Sequence, residues 1–473
     1  MKTYNLVLII FLTTLYSCKS QVKNEINNKI ETYLANLEQT GFSGSVFVAK
    51  EGEIILSKGY GFSNRENQTK NDSKTIFDIG SVTKQFTAAG ILKLEMLGKL
   101  SVNDKISMYF ENLPEDKKTI TIHHLLTHSS GLPSGIGDDY DAISTDEFLK
   151  KAFNQQLLFP IGNSYEYSNV GYSILGIIIE KISKKTYEEF LYQNLWKPSK
   201  MEQTGYTRPD FKNKEAIGYN GERGVGKPTE QKWDVDAPFW HLKANGGVLS
   251  STEDMYKWHL ALFTNNILSE TAKEKYFTPY IQEGEDAPSY YGYGWAIYNT
   301  SRNTRLAAHN GGNGIFFADY WRYLDDDMVI IILNNNATPY SEIIASQIGA
   351  ITFLQTFEPQ YPSESDQEID DDLITGLAEK TILALSKDDE NKWKSFILNY
   401  GTLDFINIAP METHLKYFLN FHSELKGGEI QAINLDDDKL TIDVKVEDKI
   451  IKLNMFIEIN RDGELKFAGM GTE

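Results

Sequence analysis

Strand-patterned segments stand at both ends of the first 357 residues of this chain, and helix-patterned segments fill the stretch between them. Ser45 to Ala49 and Glu53 to Lys58 read as two strands turned at Glu51-Gly52. Strand signals return only around Leu306 to His309, Phe316 to Tyr323 and Met328 to Leu333, with Asp325-Asp326-Asp327 turning between the last two. Strands so far apart share a core when the early pair joins the late ones in one antiparallel sheet, with the intervening helices packed beside it. Ile26, Ile30, Tyr33, Leu34 and Leu37 predict a helix that Gly41 stops, and Tyr340 to Phe357 predicts another. The expected fold class is α+β: an antiparallel sheet flanked by helices, with a helical subdomain.

Residues 358–372 are acidic and contain Pro359 and Pro362, which reads as a linker. Beyond it, residues 373–425 carry helical patterning. Glu429 to Phe467 reads as an antiparallel meander turned at Asp436-Asp437-Asp438 and Asp462-Gly463. Residues 373–473 thus form a small α+β accessory domain. At the other end, Lys2 precedes an apolar run, Leu6 to Leu15, too short to span a bilayer comfortably. The run ends in Leu15-Tyr16-Ser17-Cys18, and Cys18 is the only cysteine. This pattern resembles a bacterial lipobox. The resemblance implies removal of residues 1–17, a lipid on the Cys18 sulfur, and an exported protein that meets the membrane through that anchor and faces the periplasm. The first domain then covers residues 18–357. One cysteine excludes an internal disulfide and a cysteine-based metal site. A formal net charge of -19 without a basic cluster excludes nucleic acid as a partner.

Ser81-Val82-Thr83-Lys84 stands where a loop enters an apolar helix carrying Phe86, Ala89, Leu92, Leu94, Met96 and Leu97. Positions three apart share a helical face, so the Lys84 amine can reach the Ser81 hydroxyl. Unpaired N–H groups at a helix start favour negative charge on the serine oxygen, the condition for an activated nucleophile. Tyr167-Ser168-Asn169 precedes a second apolar helix, Val170 to Ile182. In extended backbone Tyr167 and Asn169 point together into a cleft, where a phenol beside an ammonium has its pKa lowered and can shuttle protons. Glu166, next in line, points the other way. His309-Asn310-Gly311-Gly312 ends a predicted strand, and its glycines let a substrate backbone approach the sheet edge. Taken singly, Ser81 reads as a helix cap, Lys84 as a solvated residue and His309 as a structural histidine. His123, His124 and His128 lack a carboxylate at ligand spacing, so no metal is expected. Trp233, Trp240, Trp258 and Trp295 read as core.

Together, and in this order, the three motifs resemble those of the serine β-lactamase and penicillin-binding protein superfamily. The branch they resemble most holds class C β-lactamases, DD-peptidases and esterases, whose second motif is Tyr-x-Asn. Leu125-Leu126-Thr127-His128-Ser129-Ser130-Gly131-Leu132, Gly246-Gly247-Val248-Leu249-Ser250-Ser251 and Tyr293-Gly294-Trp295 match as well. The resemblance implies a serine hydrolase without a cofactor, acting on an amide or ester: a D-amino-acid peptide, a β-lactam or a small ester. Ser81 would be acylated, Lys84 would take or relay its proton, and Tyr167 would pass protons to the leaving group. Asn169 would orient the substrate amide and the lysine. His309 would polarise the site or contact the acyl donor. Asn310, Gly311 and Gly312 would bind substrate, with the N–H groups of Ser81 and Gly312 as the oxyanion hole. His309 departs from class C β-lactamases, which carry lysine there; a histidine is only partly charged near neutral pH. The alternative is a low-turnover penicillin-binding or sensor lipoprotein that keeps the pocket. Nothing in the sequence specifies an oligomer.

Overall fold

The computed structural model describes residues 23–473 except 212–213, 222, 232, 234–237, 285–286, 354–356, 358, 360–370, 403–404, 406–410, 437–438, 460–464 and 473. The expected signal segment, Cys18, most of the expected linker and the turns at 437–438 and 462–463 lie outside the described residues. The chain divides into two compact units, Met1–Tyr361 and Pro362–Glu473.

The first unit is organised by an eight-stranded sheet. Its strands are β1 (Gly44–Lys50), β2 (Glu53–Tyr60), β3 (Ile281–Gln282), β4 (Ser289–Tyr291), β5 (Ala296–Asn299), β6 (Arg305–Gly312), β7 (Phe317–Tyr323) and β8 (Met328–Asn334). The order across the sheet is β2-β1-β8-β7-β6-β5-β4-β3, and every neighbouring pair is antiparallel. As the sequence predicts, the first strand closes on the last, running from Gly44 opposite Asn334 to Lys50 opposite Met328. Strands β3 to β5 escape a sequence reading, because segments of two to four residues show too little alternation to be recognised. The turn at Glu51-Gly52 forms with both residues at positive φ, 51° and 72°.

Strand β8 is buried along its whole length and covered on both faces. Met328, Ile330 and Ile332 pack with Val46 and Val48 of β1 against α1 (residues 23–39) and α5 (Ile344–Phe353). Val329, Ile331 and Leu333 join Phe47 and Ala49 in the opposite core, with helices α2 (Thr83–Met96), α3 (Asn169–Ser183) and α4 (Thr252–Phe263). Each such aliphatic side chain contributes about 1.5–3 kcal/mol on burial. The predicted helix Tyr340 to Phe357 resolves into a 3-10 turn, Pro339–Ile343, followed by α5, because Thr338 and Ser341 cap a turn that begins at Pro339.

Helix α2 is buried on every side from Thr83 to Leu92, as a helix inside a core must be. Its position carries Lys84 into the interior. Ser81 lies one step earlier, on a 3-10 turn, Gly80–Val82, that joins the short strand Phe77–Asp78 to α2.

The second unit contains α6 (Asp371–Leu385), α7 (Glu390–Tyr400), α8 (Met411–Leu425) and a meander β9 (Glu429–Asp436), β10 (Lys439–Val446), β11 (Lys449–Ile459) and β12 (Leu465–Thr472). Alternation puts Leu440, Ile442 and Val444 of β10 inside, against Trp393, Phe396 and Phe418.

Candidate active site

Lys84 is the hub. Its Nζ lies 3.0 Å from Ser81 Oγ, 2.7 Å from Asn169 Oδ1 and 2.8 Å from the carbonyl oxygen of Asn245. Burial pushes the Lys84 amine well below the usual lysine range, with the Asp139 charge opposing the shift. The two carbonyl oxygens only accept, so a neutral amine gives its two N–H bonds to them and turns its lone pair to the Ser81 hydroxyl. That leaves the Ser81 proton beside a base.

Tyr167 and Asn169 reach the same point from α3. Ser168 is extended (φ -127°, ψ 107°) and caps the helix by accepting the Gly171 N–H at 3.1 Å. Its own N–H donates to His128 Nδ1 at 2.9 Å, and its hydroxyl donates to the Pro133 carbonyl at 2.7 Å. The flanking side chains are thereby fixed: Asn169 meets Lys84, while the Tyr167 hydroxyl is hydrogen-bonded with Ser81 and its ring centre lies 4.6 Å from Lys84 Nζ. The expected lowering of the phenol pKa is not found. Burial raises it, with the Glu283 charge adding to the rise and the hydrogen bond with Ser81 opposing it.

His309 departs further from its expected role. Its Nδ1–H donates to the Asn310 carbonyl at 2.6 Å, and its Nε2 accepts from the Tyr291 hydroxyl at 2.9 Å. Burial above all pushes it down to about 3, so it is neutral at physiological pH and not partly charged. With both nitrogens engaged it packs beside Tyr167, ring centroids 6.2 Å apart, and is not among the residues lining the adjoining cavity. It is a support for the wall and offers a substrate no charge.

The strand end behaves as its glycines require. Gly80 has φ +46°, and a Cβ there would come 2.6 Å from the Gly312 nitrogen. A Cβ on Gly311 would come 2.4 Å from the Ser81 nitrogen. The Asn313 N–H donates across the ladder to the Phe316 carbonyl at 3.2 Å, so alternation turns the Gly312 N–H away from β7. Asn310, Gly311 and Gly312 line, with Ser81 and Tyr167, a cavity of about 510 Å3.

Three contributors escape a sequence reading. The Asn245 carbonyl is backbone and carries no side-chain signal. Asp78 reads as one polar residue in an apolar run; buried, it accepts from the Gly80 N–H at 2.7 Å and from Asn313 Nδ2 at 3.1 Å, tying the Ser81 turn to the loop after β6. Burial, reinforced by Asp139, pushes Asp78 up to about 6 against the Gly80 bond. Tyr291 sits on a strand too short to predict. The histidines set aside as metal ligands have structural partners: His123 Nδ1 meets the Tyr293 hydroxyl at 2.8 Å, and His124 Nδ1 accepts the Thr121 N–H at 3.1 Å.

A serine and a buried lysine at the foot of a buried helix, facing a phenol and a carboxamide beside an antiparallel sheet, define a protein of the β-lactamase and transpeptidase fold. The β-lactamase family model matches residues 26–348, and the chain belongs to that family. Penicillin-binding protein 4* of Bacillus subtilis (strain 168) is 28% identical over 374 residues, which are 75% of this chain and 82% of that protein. The octameric penicillin-binding protein homologue from Pyrococcus abyssi shares the fold with a TM-score of 0.62 at 23% identity, covering 92% of this chain and 91% of that one. The β-lactamase/D-alanine carboxypeptidase from Pseudomonas syringae shares it with a TM-score of 0.60 at 20% identity, over 71% of this chain and 99% of that one.

Proposed function

We propose that this protein is a serine hydrolase that cleaves an amide or ester through an acyl-enzyme on Ser81. The observation that carries the proposal is the 3.0 Å contact between Ser81 Oγ and a Lys84 amine whose other partners are both obligate acceptors. Ser81 Oγ attacks the substrate carbonyl carbon as its proton passes to Lys84. The carbonyl oxygen gains negative charge and takes hydrogen bonds from the Ser81 and Gly312 N–H groups. The bond to the leaving group breaks, and that group receives the proton through the Tyr167 hydroxyl, which stays protonated at rest and relays without ionising. Water then attacks the ester on Ser81, giving a proton to the same amine; the bond from the acyl carbon to Ser81 Oγ breaks, the amine returns that proton to the serine oxygen, and the acid departs. The likeness to penicillin-binding protein 4* supports a penicillin, itself a cyclic amide, among the candidate substrates. Also within the proposal, residues 1–17 are removed and Cys18 carries a lipid; the support is the sequence pattern alone.

The test is intact-mass detection of a covalent adduct after exposure to a fluorophosphonate, a penicillin and p-nitrophenyl butyrate. A single adduct that disappears in Ser81→Ala, with steady release of p-nitrophenol by the wild type, is the expected result. An adduct elsewhere, or turnover that survives the substitution, refutes the assignment.

A further inference from the structure

The cavity that opens on Ser81 has a second wall outside the three motifs. Thr338 and Glu342 line it, from the 3-10 turn Pro339–Ile343 that leads into α5. The turn is held from the sheet: Asn334 Nδ2 donates to Ser341 Oγ at 2.9 Å, and the Thr338 N–H donates to the same oxygen at 3.1 Å. Glu342 is the one ionisable side chain other than Tyr167 among the lining residues, and among the described residues no cation pairs with it. Its charge reaches Asp319, a buried carboxyl on β7 directly opposite Asn310. On the motif side, Asp139 places another carboxylate within electrostatic range of Lys84.

Among the described residues lining the cavity, none is a cation that could pair with a substrate carboxylate. The Lys84 N–H bonds are committed to Asn169 and Asn245, and both nitrogens of His309 are occupied by Tyr291 and Asn310. A free carboxylate entering the cavity meets Glu342 with no counter-charge, and like charges in a cleft oppose binding. A protonated amine finds a partner there. Phe316 and Phe317 on the same lining supply apolar contact for the carbon skeleton.

We propose that Glu342 is a specificity-determining residue that receives a cationic amine on the acyl donor, so that the site selects amino-acyl amides and esters with an unblocked amine over donors bearing a carboxylate. This rests on the serine-hydrolase reading above and deepens it. Glu342 is exposed, so its effect on a ligand is partly screened and a preference near tenfold is the expected scale.

The test compares kcat/KM for three p-nitroanilides of alanine, in both hands: amine free, amine acetylated and amine succinylated. The expected order is free amine about tenfold above acetyl, with succinyl lowest and the gap shrinking between 20 mM and 500 mM salt. In Glu342→Gln the ratio of free amine to acetyl collapses toward one, and in Glu342→Lys the succinyl donor overtakes the free amine. A wild type that cleaves acetyl or succinyl donors as well as the free amine overturns the proposal, as does a ratio unmoved by Glu342→Gln or by salt. Turnover of p-nitrophenyl butyrate with none of the anilides also overturns it. Absence of both butyrate turnover and fluorophosphonate labelling is a separate outcome that removes the hydrolase reading itself.

Discussion

In the first unit, the interior beside the sheet holds an amine, a carboxyl and a histidine, Lys84, Asp78 and His309, each displaced from its ordinary pKa by burial. In the C-terminal unit the interior is Trp393, Phe396, Phe418, Leu440, Ile442, Val444, Leu453 and Phe467. Two polar groups there are tied to backbone carbonyls: Trp393 Nε1–H donates to Ala384 at 3.1 Å, and His422 Nδ1–H donates to Leu385 at 2.6 Å. Burying ionisable groups opposes folding, so a core that gathers them is spending stability on something other than packing. The difference is that the first unit gathers such groups around the Ser81 hydroxyl.

Lys84→Met presses hardest on that difference. Methionine matches the length of the lysine stem without its amine. Turnover of p-nitrophenyl butyrate should fall about a thousandfold, the scale of losing a positioned general base. The urea midpoint should hold or rise, because a desolvated amine has been replaced by an apolar group. Steady-state rates and unfolding curves on one preparation decide it; a large loss of stability with modest loss of rate would make Lys84 a structural residue.

Trp393→Ala probes the other unit. Removing a fully buried tryptophan costs about 3–5 kcal/mol, and the loss should appear in the unfolding of the C-terminal unit alone. Two resolved calorimetric transitions, with only one displaced and the butyrate rate retained, would sharpen the contrast. Loss of activity together with that transition would break it.

Gly311→Ala acts by geometry. Its new Cβ would lie 2.4 Å from the Ser81 nitrogen and the Ile79 oxygen, so β6 must withdraw from the nucleophile turn. A drop of about a hundredfold in kcat with little change in KM is expected, matching the loss of an oxyanion donor. An unchanged kcat would place the oxyanion donors elsewhere.

What the sequence makes legible follows from how local each feature is. Ser81 with Lys84, and Tyr167 with Asn169, are short-range spacings set by helix and strand geometry, and the structure brings all four side chains together. The closure of β1 on β8 is non-local, yet legible, because an apolar run such as Met328 to Leu333 must be covered on both faces. Asp78, Tyr291 and Glu342 are illegible for the opposite reason. Each becomes significant only through a partner far along the chain: Asn313, His309 and Ser81 in turn. The protonation states at Tyr167 and His309 depend on burial depth, which motif spacing does not encode.

The smallest effect concerns His309 and changes sign in acid. Burial holds its folded pKa at about 3, against an ordinary 6.5. Above pH 6.5 both folded and unfolded chains carry it neutral, and its contribution to stability is complete. As pH falls from 6.5 toward 3 the unfolded chain binds a proton that the folded chain refuses, so stability is lost across that window. Asp78 runs the other way: raised from 3.8 to about 6, it takes up its proton first in the folded chain and adds stability as pH drops through 6. Wild type alone therefore shows a blunted response, and the pair of proteins is needed. His309→Asn should lose about 1 kcal/mol at pH 7, where it forfeits the Tyr291 hydrogen bond. At pH 4.5 it should gain roughly 2 kcal/mol relative to wild type, since the unfolded-state proton uptake at position 309 is gone. Urea midpoints at the two pH values measure the difference. An equal gap at both would mean that His309 titrates in the folded protein as it does in water, and the contrast between the two cores would then rest on Lys84 and Asp78 alone.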